Sequence, residues 1–173
     1  MNPPDGVTLR RATVADVPAI LALIRGIAEY ERLAHEVEAT EALLRTHGFG
    51  GRPVFECVLA EREGPGGRDA VGFAVYFFTF STFKARPTLY LEDLFVRPSE
   101  RGQGIGRRLL AHLAGIAVER DCGRMEWSVL DWNPARDFYF KLGATALDEW
   151  SVFRMTPEVF GRLARAQPAT SRS

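Results

Sequence analysis

The chain is short of cysteine, of long apolar runs and of net charge, and each shortage excludes something. Its two cysteines, Cys57 and Cys122, stand far apart, match no metal-ligand spacing and follow no apolar leader, so they read as reduced, packed thiols. That usage fits a cytoplasmic protein with no metal. No segment approaches the ~18 consecutive apolar residues that a membrane-spanning helix needs, and the opening MNPPDGVTLRR lacks the apolar core of a secretory signal. Lys+Arg and Asp+Glu balance at 22 each, so no overall field favours nucleic acid or a membrane surface. A charged ligand has to be selected by a local patch.

What is present is enough for one domain. A chain of 173 residues can bury roughly two thirds of its unfolded surface in a single core, and we expect that domain over residues 1–163, with Ala164 to Ser173 a disordered tail. Val7 to Arg11 alternates as a short strand, and Asp16 can cap a helix whose first turn accepts Pro18 and whose apolar stripe is Val17, Ile20, Leu21, Ile24, Ile27 and Ala28. Thr40 and Glu41 start a shorter helix that stops near His47 to Gly51. Val54 to Ala60, Val71 to Phe80 and Thr88 to Val96 are strand-like, the first two joined by the turn-forming EGPGGRD. The third is apolar almost throughout, which implies a central strand covered on both faces. An amphipathic helix from Ile105, a strand from Arg124 to Leu130, a short helix from Pro134 to Leu142 and a last strand from Ser151 to Met155 complete the order. The fold class is α/β with mixed character: a mixed sheet with helices on both faces.

Two features break the core pattern. Glu92 and Asp93 lie side by side inside the central strand, and RPSERGQGIGRR follows it at the start of the amphipathic helix. Glycines at 102, 104 and 106 permit positive φ and close backbone approach, where the first N–H groups of a helix and its dipole favour an anion such as a pyrophosphate. The spacing is G-x-G-x-G, not the G-x-G-x-x-G of a dinucleotide fold, and no Gly-Lys-Ser/Thr completes a P-loop. A turn without a ligand stays open on the glycines alone.

Taken together, YLEDLFV (90–96), RGQGIG (101–106), IRGIAEYERL (24–33), VGFAVYFFTF (71–80) and DWNPARDFYFKLGA (131–144) resemble the GNAT superfamily of N-acetyltransferases, in particular the diamine (spermidine/spermine) and thialysine acetyltransferase branch. The resemblance implies transfer of acetyl from acetyl-CoA to an amine. It implies that the backbone of Leu94, Phe95 and Val96 pairs with the pantetheine arm, that Arg101, Gly102, Gln103, Gly104, Ile105, Gly106 and Arg107 surround the pyrophosphate, and that Asn133 holds the arm. Six positions separate Asn133 from Tyr139, where the family usually has seven.

Such a transfer needs a proton acceptor for the ammonium and a donor for the departing thiolate. Glu92 is the candidate base, acting through a water, because a carboxylate in a water-poor sheet has its pKa raised toward neutrality; the alternative is a strand-end Glu paired with an arginine. Successive strand residues point to opposite faces, so Glu92 and Asp93 share a site only if a bulge re-aims one. Asp93 is then either a substrate anchor or a structural ion-pair partner. Tyr139 resembles the family's proton donor, whereas Phe138 and Phe140 suit the core face of their helix.

For the acceptor, EYERLAHEVEATE (29–41) sets five glutamates against one arginine, an acidic patch that draws a cation or simply faces water. The resemblance adds Tyr30 and Glu31 as an acceptor-binding pair, Glu92 and Asp93 beside them, Glu126, Trp127 and Ser128 on the later strand, and Glu149 near Trp150. The run Ser81, Thr82, Phe83 is similar to the thialysine branch, not to the polyamine enzymes, which implies a lysine-like or short amine. The resemblance also implies a homodimer. Two alternatives remain at this stage: a non-catalytic acyl-CoA-binding module, and an acetyltransferase whose acceptor is a protein amine.

Overall fold

Alternating residues make Val7–Arg11 the first strand, β1, and helical spacing makes Val17–Tyr30 the first helix, α1, burying Val17, Ile20, Leu21 and Ala28 together with Leu23, which lies off the expected stripe. Asp16 does not cap α1. Its carboxylate instead accepts hydrogen bonds from Thr13 N, Thr13 Oγ1 and the Arg10 guanidinium at 2.7–2.9 Å. The same guanidinium grips the buried Glu61 at 2.6 and 2.9 Å, so one arginine ties together β1, the start of α1 and the second strand. Thr40 caps α2 (Glu41–Phe49) as expected, accepting from Leu43 N at 3.2 Å.

The strands β2 (Glu56–Gly64), β3 (Gly67–Ser81) and β4 (Arg86–Val96) form an antiparallel meander, and α3 (Ile105–Glu119) crosses over to β5 (Arg124–Trp127), which is parallel to β4. The sheet order is β1-β2-β3-β4-β5. β4 is interior, as its apolarity implied. The first hairpin runs further into EGPGGRD than its turn residues suggest, pairing Gly64 with Gly67. On one face Cys57, Leu59, Phe73, Val75 and Phe95 pack with Ile20 and Leu23 of α1. Their neighbours Val58, Ala60 and Ala74 turn to the other face, where α3 brings Ile105, Leu109 and Leu113, all buried. The mixed sheet therefore has helices on both faces.

This computed structural model describes residues 6–64 and 66–166, and its chain divides into two units, Met1–Ser128 and Val129–Ser173. The second unit holds α4 (Ala135–Lys141) and α5 (Pro157–Arg165). Two expectations fail near it. β5 stops at Trp127 instead of Leu130, and Ser151 to Met155 forms no strand. Its β-branched and aromatic residues suit a strand, but a strand also needs a ladder partner, and Val152 and Phe153 stand 86% and 94% exposed. The expected tail is helical through Arg165, and residues 167–173 of it lie outside the described residues.

Candidate active site

The register between β3 and β4 slips by one residue in the middle of the LEDLFV stretch. Val75 faces Asp93 and Tyr76 faces Leu91, so Glu92 is the extra residue of a β-bulge. Strict alternation would send the two carboxylates to opposite faces; the bulge brings both to one cavity of about 460 Å³. Apart from the carboxylates its walls are apolar: Ile20 and Ile24 from α1, Leu44 from α2, Val54 and Phe55 before β2, and Val75 and Phe77 from β3. Its size and its few polar groups are those of a small-molecule site.

The burial expected at Glu92 falls on its neighbour. Glu92 is exposed, whereas Asp93 is half-buried, and burial, reinforced by the charges of Glu92 and Glu31, pushes the Asp93 carboxyl up to about 6. Burial also raises Glu31 at the end of α1. The fold thus gathers Glu31, Glu92 and Asp93 into one negative field, with no positive charge among the groups that shift Asp93. Such a field is costly unless a cation or a proton answers it.

Beyond the bulge the ladder between β4 and β5 has ended at Leu91 and Trp127, so Leu94, Phe95 and Val96 pair with β3 alone. Their other backbone edge can take an extended chain as an added strand. The turn after it has Gly102 at φ 79° and Gly104 at φ 80°, the latter as the N-cap of α3, and a Cβ at either would meet nothing within 4 Å. Left-handed backbone, not crowding, requires glycine there. Gly106 lies inside the helix and has no such need. The turn opens on the first N–H groups of a 15-residue helix, beside the exposed Arg101 and Arg107. That is a fit for a pyrophosphate. Ile105 is buried and contributes its backbone; the Gln103 side chain accepts from Arg62 at 2.7 Å, and Arg108 donates to Val7 O at 2.8 Å.

Arg101 makes a link that the sequence did not reveal. Its guanidinium lies 4.3 Å from the centroid of the Tyr30 ring and 5.6 Å from that of Phe95, while its Nε donates to Val96 O at 3.0 Å. The glycine turn and the Tyr30–Glu31 pair are thereby in contact. On β5, Glu126 pairs with Arg124 at 2.9 Å and Trp127 lies opposite Leu91; just past the strand, Ser128 shares a hydrogen bond with the Tyr90 hydroxyl at 3.0 Å.

In the second unit Asn133 is buried, and its Oδ1 accepts from Ala135 N at 2.9 Å at the start of α4. Tyr139 is buried on that helix, its ring centroid 5.2 Å from that of Phe138, while Phe140 is 48% exposed. The core-facing aromatic is therefore the tyrosine, against the expectation for Phe140. Glu149 is exposed. Among the described residues no group of three or more His, Cys, Asp or Glu side chains is placed to hold a metal. The cavity wall went unseen in the sequence: Ile20 and Ile24 read as ordinary helix core, and Phe55 carries no signal of its own.

Comparison with known proteins gives a family and a fold. The model of the acetyltransferase (GNAT) family matches residues 20–144. The chain is 42% identical to the thialysine N-epsilon-acetyltransferase of Bos taurus, over 91% of this chain and 97% of that protein, and 32% identical to the L-ornithine N5-acetyltransferase of Arabidopsis thaliana, over 86% and 83%. Among solved structures, an integron cassette protein from the mobile metagenome of V. cholerae superposes with a TM-score of 0.76 at 27% identity, covering 93% of this chain and 99% of that one. An aminoglycoside acetyltransferase from an uncultured soil sample shares the fold, with a TM-score of 0.72 at 20% identity over 88% and 97%.

The Asp93 environment has a consequence for stability. An acid whose folded pKa lies above its unfolded value near 3.8 favours folding while protonated and opposes it once ionised, so the penalty grows from pH 4 through 6 and is complete above. Asp93→Asn should raise the urea-unfolding free energy by about 1–3 kcal/mol at pH 8 and leave it unchanged near pH 3. A variant no more stable than the parent at pH 8 would show that Asp93 carries no burial penalty.

Proposed function

The chain belongs to the GNAT family of acetyltransferases and is an acetyl-CoA-dependent N-acetyltransferase of amines, and we propose that its acceptor is a small cationic primary amine with an aliphatic stem, lysine-like as in thialysine. The observation that carries this is the bulge, which turns Glu92 and Asp93 onto one apolar-walled cavity. Apolar walls suit methylenes or a thioether, and the carboxylates suit the ammonium. The names of the relatives, a thialysine and an ornithine acetyltransferase, support the same class.

Acetyl-CoA supplies the activated acetyl group as a thioester. On this reading Arg101 to Arg107 seat its pyrophosphate, and the free edge of Leu94, Phe95 and Val96 aligns its arm, with Asn133 as a further holding residue. Tyr30 and Glu31 draw the acceptor in, with Glu126, Trp127, Ser128 and Glu149 as outer contacts. The Glu92–Asp93 pair takes the ammonium proton, which frees the nitrogen lone pair to form the N–C bond as the C–S bond breaks. Asp93 is the member tuned toward neutrality, by burial and by the charges of Glu92 and Glu31. The Tyr139 hydroxyl gives its proton to the departing sulfur. The match over residues 20–144 runs across both structural units, which supports one catalytic domain over 1–163.

We also propose a cytoplasmic homodimer. Two free thiols fit a reducing compartment. The second unit exposes Leu147, Trp150, Val152, Phe153 and Phe160, more apolar surface than a monomer ordinarily leaves in water. Sedimentation at micromolar concentration should give twice the 19.3 kDa chain mass, and the pair Val152→Lys, Phe153→Lys should shift it to one. A parent that sediments as a monomer throughout contradicts the dimer.

Thiol release from acetyl-CoA, followed over thialysine, lysine, ornithine, diamines and spermidine, tests the reaction itself. Turnover is expected with the lysine-like amines and short diamines, and Glu92→Gln, Asp93→Asn and Tyr139→Phe should each lose about 10²-fold in kcat/KM. In Glu92→Gln the acid limb near pH 6 should move down, because a negative neighbour of Asp93 is gone. Cofactor binding without turnover on any amine would reduce the protein to an acyl-CoA-binding module.

A further inference from the structure

Phe55 reaches the cavity from the connection between α2 and β2, one residue before β2 begins. Its ring is seated on Gly48, in the last turn of α2. A Cβ at Gly48 would lie 2.8 and 2.9 Å from the ring's Cε2 and Cε1 and closer still to Cζ, so the ring rests on bare helix backbone. Gly48 has no positive φ; space, not conformation, is what only glycine supplies here. Phe49 meets the same ring edge-on, with centroids 6.3 Å apart and planes at 81°, and Val54 N donates to His47 O at 2.7 Å to pin the connection. Helix backbone lies beneath the ring and Phe49 at its edge, and Phe55 itself lines the cavity.

We propose that Phe55, positioned by Gly48, sets the width of the acceptor stem that the cavity admits, and is thus a specificity-determining residue; this rests on the assignment of the cavity as the acceptor site. Helix backbone cannot yield to an added methyl group, and the ring can only swing into open space. Gly48→Ala therefore narrows the cavity, and shortening Phe55 widens it. Neither residue holds charge or belongs to the glycine turn, so cofactor binding is untouched.

The test compares kcat/KM for a slender amine, 1,5-diaminopentane, with that for a broad one, p-xylylenediamine, in the full chain and in Gly48→Ala, Phe55→Leu and Phe55→Ala. Acetyl-CoA affinity by calorimetry and thermal melting identify the folded variants, and Phe55→Leu keeps the test valid if Phe55→Ala does not fold. The broad-to-slender ratio should rise about tenfold in the Phe55 variants and fall in Gly48→Ala, the scale on which pockets discriminate by one or two methylenes. Ratios within about twofold of the parent in every folded variant overturn the inference. If the parent acetylates neither these amines nor thialysine, the assignment of the acceptor site falls first and the inference with it. If the parent turns them over and the ratios stay fixed, only the role of Phe55 falls.

Discussion

A single inserted residue in β4 decides where the two adjacent carboxylates go. Without the bulge at Glu92, the alternation of a strand would bury one carboxylate against α1 and turn the other toward α3, two separate burdens on the core. With it, both meet one cavity, close enough for the charge of Glu92 to act on Asp93. The same residues mark where β4 leaves β5, so the bend that aims the carboxylates coincides with the stretch of free strand edge proposed for the cofactor arm. The paired carboxylates and the free strand edge meet at one irregularity in the sheet.

Around the bulge, the fold spends stability to keep negative charge where a cation would be bound. The charges of Glu92 and Glu31 act on Asp93, and burial beside the apolar walls denies the Asp93 carboxyl solvation. Away from the cavity, Arg10 holds Asp16 and Glu61 at once and fixes the start of α1 against β1 and β2. From that anchor α1 delivers Ile20 and Ile24 to the cavity and Tyr30 to Arg101. An acidic, apolar-walled pocket beside a turn suited to anions is the arrangement that the proposed cationic acceptor and anionic donor require.

Much of this was legible in the chain, for reasons that separate by residue. The central position of β4 followed from its continuous apolarity, and the Thr40 cap and the left-handed Gly102 and Gly104 followed from local backbone chemistry. The joint placement of Glu92 and Asp93 was conditional on a bulge, and no propensity announces a register slip. Which carboxylate is the more buried also depends on that slip, and the structure shields Asp93 more than Glu92. Ser151 to Met155 has strand composition, yet forming a strand is a property of two segments, and composition reports only one. The contacts of Arg101 with Tyr30, and of Gly48 with Phe55, join positions whose proximity no period encodes.

The most direct test is a crystal structure with CoA and thialysine bound together. The side-chain ammonium should lie within about 3 Å of the Glu92 or Asp93 carboxylate, with the thioether stem along Ile24 and Phe55. A ternary complex in which the amine sits elsewhere, and the bulge carboxylates face only water, would contradict it.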